Sequence, residues 1–209
     1  MPTSSVYTRN GQLHSHFDRQ RKDELEAIGR DAGRELFEWY GGTVEDNDVK
    51  EDGTLDWQRA DLKVTFNDGR NLLVETATKS DNIWHYTKQG VDVETRKLKY
   101  IRQMGAEKLV VSMTRQNGSE ILLIPGVCLK AAADDCGDEY LGHGSIANSP
   151  NFQMPSHGCH RVRKNCKKKG GGWEVNDFYR IPYKFVTHIE VLTPGKNYRI
   201  LKKKEPFGE

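Results

Sequence analysis

The sequence lacks any apolar run approaching the ~20 residues that a membrane-spanning helix needs. Its first ten residues, Met1 to Asn10, hold no apolar signal-peptide centre. Both absences predict a soluble, cytoplasmic chain with no membrane partner. Hydrophobic residues are scarce at 35% against 30% charged, and the mean hydropathy is −0.78. A chain of 209 residues is nonetheless long enough for one domain that buries roughly 70% of its unfolded surface. Cysteines number four (Cys128, Cys136, Cys159, Cys166), and in a reducing compartment they read as free thiols or metal ligands rather than a disulfide framework. No internal repeat is present. Neither sign of charge dominates, since 32 basic residues against 30 acidic ones leave +2, so the distribution is what informs. Between Thr43 and Asp61 lie seven acids and two bases; between Arg161 and Lys169 lie six bases and no acid. Such separation suits a polyanionic partner, although charge runs are more often solvated faces.

What is present begins with a helix. Leu25, Ile28, Ala32, Leu36 and Trp39 or Tyr40 recur at helical spacing from Arg19 onward, and Gly41-Gly42 supplies the stop. Ala60 to Phe66 alternates as a strand, Asn67-Asp68-Gly69 is a tight-turn signal, and Asn71 to Thr78 reads as the returning strand of a hairpin. Residues 80–93 read as an ordered loop around Trp84 and Tyr86, and Glu94 to Met104 has helical character. Lys108 to Met113 and Glu120 to Ile124 are short apolar runs typical of buried strands. This order predicts an α/β fold with a central mixed sheet flanked by helices. Four regions follow: a flexible arm over 1–17, a core over 18–127, a Cys/His-rich basic insertion or loop over 128–172, and C-terminal strands with a basic tail over 173–209.

Chemistry concentrates on the hairpin. Asp61 near the start of one strand and Glu75 late in the next come together in space. Two carboxylates there suit a hard divalent cation such as Mg²⁺ or Mn²⁺, which prefers oxygen ligands and can activate a bound water against a phosphodiester. A lysine beside them would orient that water. Glu75, Ala77 and Lys79 share one strand face, with Lys79 about 13 Å beyond Glu75 at about 3.3 Å per residue.

Asp61 on one strand and Glu75-Thr-Ala-Thr-Lys79 on the next, between a preceding helix and a following helix and strand, resemble the PD-(D/E)XK (restriction-endonuclease-like) nuclease superfamily over roughly residues 19–124. The resemblance implies a metal-dependent nuclease, a DNA-binding hydrolase with Asp61, Glu75 and the Thr76 carbonyl as magnesium ligands. The departure is that Ala77 stands where the Glu-x-Lys motif has its lysine, which leaves Lys79, or Lys97 on the following helix, for that role. Asp31 or Glu35 of the first helix are candidates for an additional metal ligand, as in some relatives. The compact format suits a phage-encoded protein. A rival on the same fold is a catalytically degenerate protein acting as a DNA-binding or viral structural component, and Ala77 is the feature in its favour.

Residues 128–172 hold all four Cys together with His157 and His160. A structural Zn²⁺ held by Cys128, Cys136, Cys159 and Cys166, or by a mixture including His157 and His160, would pin a loop with no core of its own. None of the spacings is the C-x₂₋₄-C of zinc modules, and free thiols with surface histidines are the plainer reading. A zinc-stabilised interaction module, with the hairpin acids incidental, is the second rival. Arg161, Arg163, Lys164, Lys167, Lys168 and Lys169, followed by three Gly, read as a mobile loop that tracks DNA phosphates by counterion release. Each reading accommodates a homo-oligomer.

Overall fold

The computed structural model describes residues 6–7, 13–14, 16–50, 52–54, 56, 58–84, 90–101, 105–134, 138–141, 152–167 and 172–207. Within the segment expected as a loose arm, β1 (Val6–Tyr7) and β2 (Leu13–His14) pair antiparallel. Helix α1 (His16–Trp39) follows and ends at the expected stop, where Gly41 takes φ +82. β3 (Gly42–Asp46), β4 (Leu62–Phe66) and β5 (Asn71–Lys79) then form an antiparallel meander. Asn67-Asp68-Gly69 closes the β4–β5 turn, with Gly69 at φ +82 donating its N–H to the Phe66 carbonyl at 2.9 Å.

A crossover leads from β5 through α2 (Asp81–Trp84), β6 (Val91–Glu94) and two 3-10 helices, Thr95–Tyr100 and Ala106–Lys108. It delivers β7 (Leu109–Arg115) parallel to β5, in register from Leu73 beside Leu109 to Lys79 beside Arg115. β8 (Glu120–Pro125) returns antiparallel, and α3 (Gly126–Asp134) follows. The chain continues through β9 (Asp138–Leu141), β10 (His160–Lys167), β11 (Trp173–Ile181), β12 (Thr187–Thr193) and β13 (Asn197–Lys202). β13 falls where the sequence suggested only a basic tail.

The protein is therefore α/β, with a mixed seven-stranded sheet ordered β13-β12-β8-β7-β5-β4-β3 and a four-stranded sheet ordered β6-β11-β10-β9. Strand side chains alternate, so the larger sheet has two faces to cover. On one, Leu62, Val64 and Val74 meet Phe37 of α1, while Leu36 meets Ile121, Ile189 and Tyr198. On the other, Leu73, Met113 and Leu122 join Val91 and Ile181 of the second sheet and Leu129 of α3 in the largest core cluster. Among the described residues no helix is long and apolar enough to cross a membrane.

The stretch read as an insertion or long loop differs most from expectation, because it contains α3, β9 and β10. The alternation in β10 is hidden by charge. His160 and Val162 are buried at 2% and 0% exposure, whereas the intervening Arg161 and Arg163 pair with acids on neighbouring strands. A cross-strand ion pair lets a basic sequence occupy a strand that apolar periodicity does not announce.

Candidate active site

The ladder between β4 and β5 ends at Leu62 opposite Val74, which sets Asp61 beside Glu75. Asp61 is fixed by its neighbour's backbone: its Oδ2 accepts the Thr76 N–H at 2.7 Å and the Thr76 hydroxyl at 2.5 Å. Beyond this point β5 runs on to Lys79 with β7 on its other side, and a cleft of about 280 Å³ opens where β4 has stopped. Its walls come from α1, the end of β5, β6 and the 3-10 helix Thr95–Tyr100.

Two glycines bring α1 close enough to wall this cleft. A Cβ on Gly29 would lie 2.8 Å from Thr78 Oγ1, and one on Gly33 would lie 3.3 Å from Thr76 Cγ2. The close approach lets the Thr78 hydroxyl donate to the Leu25 carbonyl at 2.6 Å and carries Arg30 into the cleft. Arg30 grips Asp48 through two hydrogen bonds of 2.8 and 2.7 Å, reaches Asp46 at 3.1 Å and lies 3.6 Å from Asp61 Oδ1. The hydrogen bond to Asp48 is the main reason the guanidinium is held even more firmly protonated than usual. Asp31 and Glu35, the helix acids singled out from sequence, do not line the cleft; Glu26 does. Asp31 is exposed, and Glu35 lies beside Gly195 in the β12–β13 turn.

Glu75 is 2% exposed. Its Oε1 pairs with the Lys97 ammonium, which also lies 3.4 Å from the Thr76 carbonyl, and its Oε2 is buried with no hydrogen-bond partner among the described residues. Burial pushes the Glu75 carboxyl up to about 7, with the Asp61 charge adding to the rise and Lys97 opposing it. Of the two lysines left open by the sequence, Lys97 is the one brought to the carboxylate. Lys79 lines the same cleft but has no carboxylate within ion-pair distance among the described residues. Burial lowers its pKa, while Glu94 and Asp92 act on it from further off.

Asp61, Glu75 and the Thr76 carbonyl offer only oxygen donors, and Glu75 Oε2 is buried without a hydrogen-bond partner among the described residues. These residues fit a hard divalent metal. No three His, Cys, Asp or Glu side chains converge as a ready ligand set among the described residues. Several residues missed from sequence belong to the cleft, chiefly Arg30, Asp48, Glu94 and Arg96. The Gly29-x-x-x-Gly33 spacing is a local signal by which a close-packed helix face beside Arg30 could have been found.

Part of the Cys/His set comes together, Cys128 with Cys159 and Cys159 with His157. Cys128 on α3 and Cys159 before β10 are free, fully buried thiols in the main core. The hydrogen bond between them, then burial, pushes the Cys159 thiol far up, which leaves it unreactive. His157 Nδ1 accepts the Cys159 N–H at 3.0 Å. His160 is spoken for on both ring nitrogens, by the Gly158 carbonyl and by Glu139, each at 2.9 Å. Cys136 lies outside the described residues, as does the side chain of Cys166.

The basic run is likewise corrected from a mobile loop to a strand over His160–Lys167. Arg161 pairs with Asp177 at 2.5 Å, Arg163 with Asp138 at 3.0 Å, and Lys164 with Asp92. Lys168 and Lys169 lie outside the described residues, and so does the side chain of Lys167. No family model, curated protein or solved structure matches this chain.

Proposed function

We propose that the protein is a metal-dependent nuclease that hydrolyses DNA phosphodiester bonds, built on a restriction-endonuclease-like core. The observation that carries this reading is the Lys97 ammonium lying against both the Glu75 carboxylate and the Thr76 carbonyl, beside the Asp61 carboxylate. The order of elements supports it: a helix, a hairpin bearing Asp61 and Glu75, a crossover bearing Lys97, and a strand parallel to β5. Ala77 then marks a lysine displaced onto the crossover rather than a lysine lost.

Asp61, Glu75 and the Thr76 carbonyl would hold Mg²⁺ or Mn²⁺. A metal bound there supplies Lewis acidity to a phosphate oxygen and lowers the pKa of a water. The chain's own residues do the positioning. Thr76 locks Asp61 through Oδ2 and so fixes the orientation of the carboxylate. Glu75, poised near pH 7, is ionised most readily beside a cation. Lys97 donates hydrogen bonds that orient the attacking water and offset the charge that grows on the phosphate.

A second reading, a degenerate nuclease fold that binds DNA or serves in a virus particle without cutting, has one observation in its favour. Arg30 beside Asp61 and Lys97 beside Glu75 give both carboxylates a cation from the protein itself. The test is cleavage of labelled linear, branched and single-stranded DNA, with RNA as a further arm, in Mg²⁺ or Mn²⁺ against EDTA. Metal-dependent cutting that disappears in the Asp61→Ala/Glu75→Ala double variant supports the nuclease. Folded protein that cuts none of these substrates favours the degenerate reading.

A further inference from the structure

The other described cations around the cleft are committed to carboxylates. Arg30 holds Asp48, Arg96 pairs with Glu94, Lys97 with Glu75, and Lys164 and Arg180 both with Asp92. Lys79 differs. It is half-buried and lines the cleft, yet among the described residues it meets no carboxylate within ion-pair distance and makes no hydrogen bond through its ammonium. Withdrawing an ammonium from water without a direct ion pair is costly, and burial weakens its hold on its proton even though Glu94 and Asp92 act on it from further off. A charge left in that condition on a cleft wall calls for an anion from outside the protein.

Its position says which anion. Glu75, Ala77 and Lys79 follow one another on the same face of β5 and all three line the cleft, with the small Ala77, which also packs against the main core, between the carboxylate and the ammonium. Lys79 lies about 13 Å along the strand from Glu75 at about 3.3 Å per residue, and Lys97 already occupies the place beside Glu75, which leaves Lys79 to meet a neighbouring phosphate rather than the one attacked there. We infer that Lys79 binds a non-bridging oxygen of a phosphate flanking the scissile one, so that the cleft takes a nucleic-acid strand lengthwise along β5 over Ala77. This rests on the nuclease reading for the location of the scissile phosphate, and it identifies the substrate as a polynucleotide with an intact backbone beyond the cut rather than an isolated phosphodiester.

The test measures binding without cleavage, in a Glu75→Gln background, by fluorescence anisotropy of a labelled single-stranded DNA and its duplex across a series of KCl concentrations. Adding Lys79→Met weakens binding about tenfold, as expected for loss of a charge-assisted hydrogen bond. It also makes the slope of log affinity against log salt shallower by about 0.7 for the single strand and about 0.9 for the duplex. Lys79→Arg restores both, which separates lost charge from disturbed packing. A scan of neutral methylphosphonate linkages then finds one flanking position whose substitution weakens the parent but not the Lys79→Met variant. Unchanged affinity and slope in Lys79→Met overturn the inference while leaving the nuclease reading intact. A parent that binds no DNA even at low salt overturns both.

Discussion

On the four-stranded sheet Arg161, Arg163, Lys164 and Arg180 each face a carboxylate supplied by another strand, whereas beside the seven-stranded sheet, among the described residues, Glu75 keeps one buried oxygen without a hydrogen-bond partner and Lys79 keeps an ammonium with no carboxylate at ion-pair distance. Both regions are rich in charge, and composition does not distinguish them. The first pairs its charges internally, a pattern that contributes little net stability where the pairs are half-exposed, although Asp138 Oδ1, Arg161 Nε and Asp177 Oδ1 are also buried there without a hydrogen-bond partner among the described residues. The second holds charges in low dielectric that the protein leaves incompletely satisfied, at a cost to its own stability. Uncompensated burial of this kind is what a binding or catalytic site requires, because a ligand completes it.

The sharpest way to probe that difference is Lys97→Met. Metal-dependent cleavage falls by roughly 10³-fold if Lys97 aids proton handling and charge stabilisation. The variant still folds, because Glu75 takes up a proton rather than staying an unpaired buried charge. Single-turnover cleavage and circular dichroism measure the two halves. A Lys97→Met protein that cuts normally would remove the cleft's claim to be a catalytic centre.

Next in size is Arg30→Met, which strips the partner from Asp48, a carboxylate only 5% exposed. The expected loss is about 3 kcal/mol in a urea unfolding curve. A loss well under 1 kcal/mol would place the Arg30–Asp48 pair with the weak pairs of the other sheet.

Glu75→Gln tests the cost of the orphaned oxygen. A carboxyl held at about 7, above its ordinary 4.5, binds its proton more tightly in the folded state. Its contribution to stability is therefore full below 4.5 and is lost as pH rises through 7. Measured in EDTA, Glu75→Gln gains on the wild type by on the order of 2 kcal/mol between about pH 5 and about pH 8. A constant difference across that range refutes the raised carboxyl.

The smallest effect is expected on the four-stranded sheet. Arg161→Gln/Arg163→Gln costs no more than about 1 kcal/mol and changes DNA affinity by less than about twofold, since both guanidiniums are already paired. A tenfold loss of DNA affinity there would restore the basic segment as a nucleic-acid contact and erase the contrast between the two regions.

The parts of the fold legible in the sequence are those set by neighbours a few residues apart. Apolar residues at helical spacing gave α1 and its end at Gly41. Alternation on both sides of Asn67-Asp68-Gly69 gave β4, β5 and their turn. The hairpin register then placed Asp61 next to Glu75 without further information. β10 and β13 escaped for the converse reason. Their outward residues are charged or exposed, and the partners that make a strand of them come from elsewhere in the chain. Glu94 to Met104 was legible as helical, but its described part is a 3-10 helix over Thr95–Tyr100.

The sequence by itself determined that a carboxylate pair would sit on one hairpin, because β-strand periodicity and turn chemistry are local and act before distant parts of the chain are placed. Tertiary structure alone decided which lysine meets that pair. Lys97 is 22 residues from Glu75 and reaches it only because the crossover folds its 3-10 helix over the end of β5. Lys79, four residues away on the same strand, is carried past the carboxylate by the strand's extension and left to face the cleft. Likewise, Gly29 and Gly33 acquired their meaning only when α1 packed on β5 and brought Arg30 to Asp48 and Asp61. Local periodicity fixes which face a side chain occupies, but which charges neutralise one another depends on contacts between segments that sequence distance does not encode.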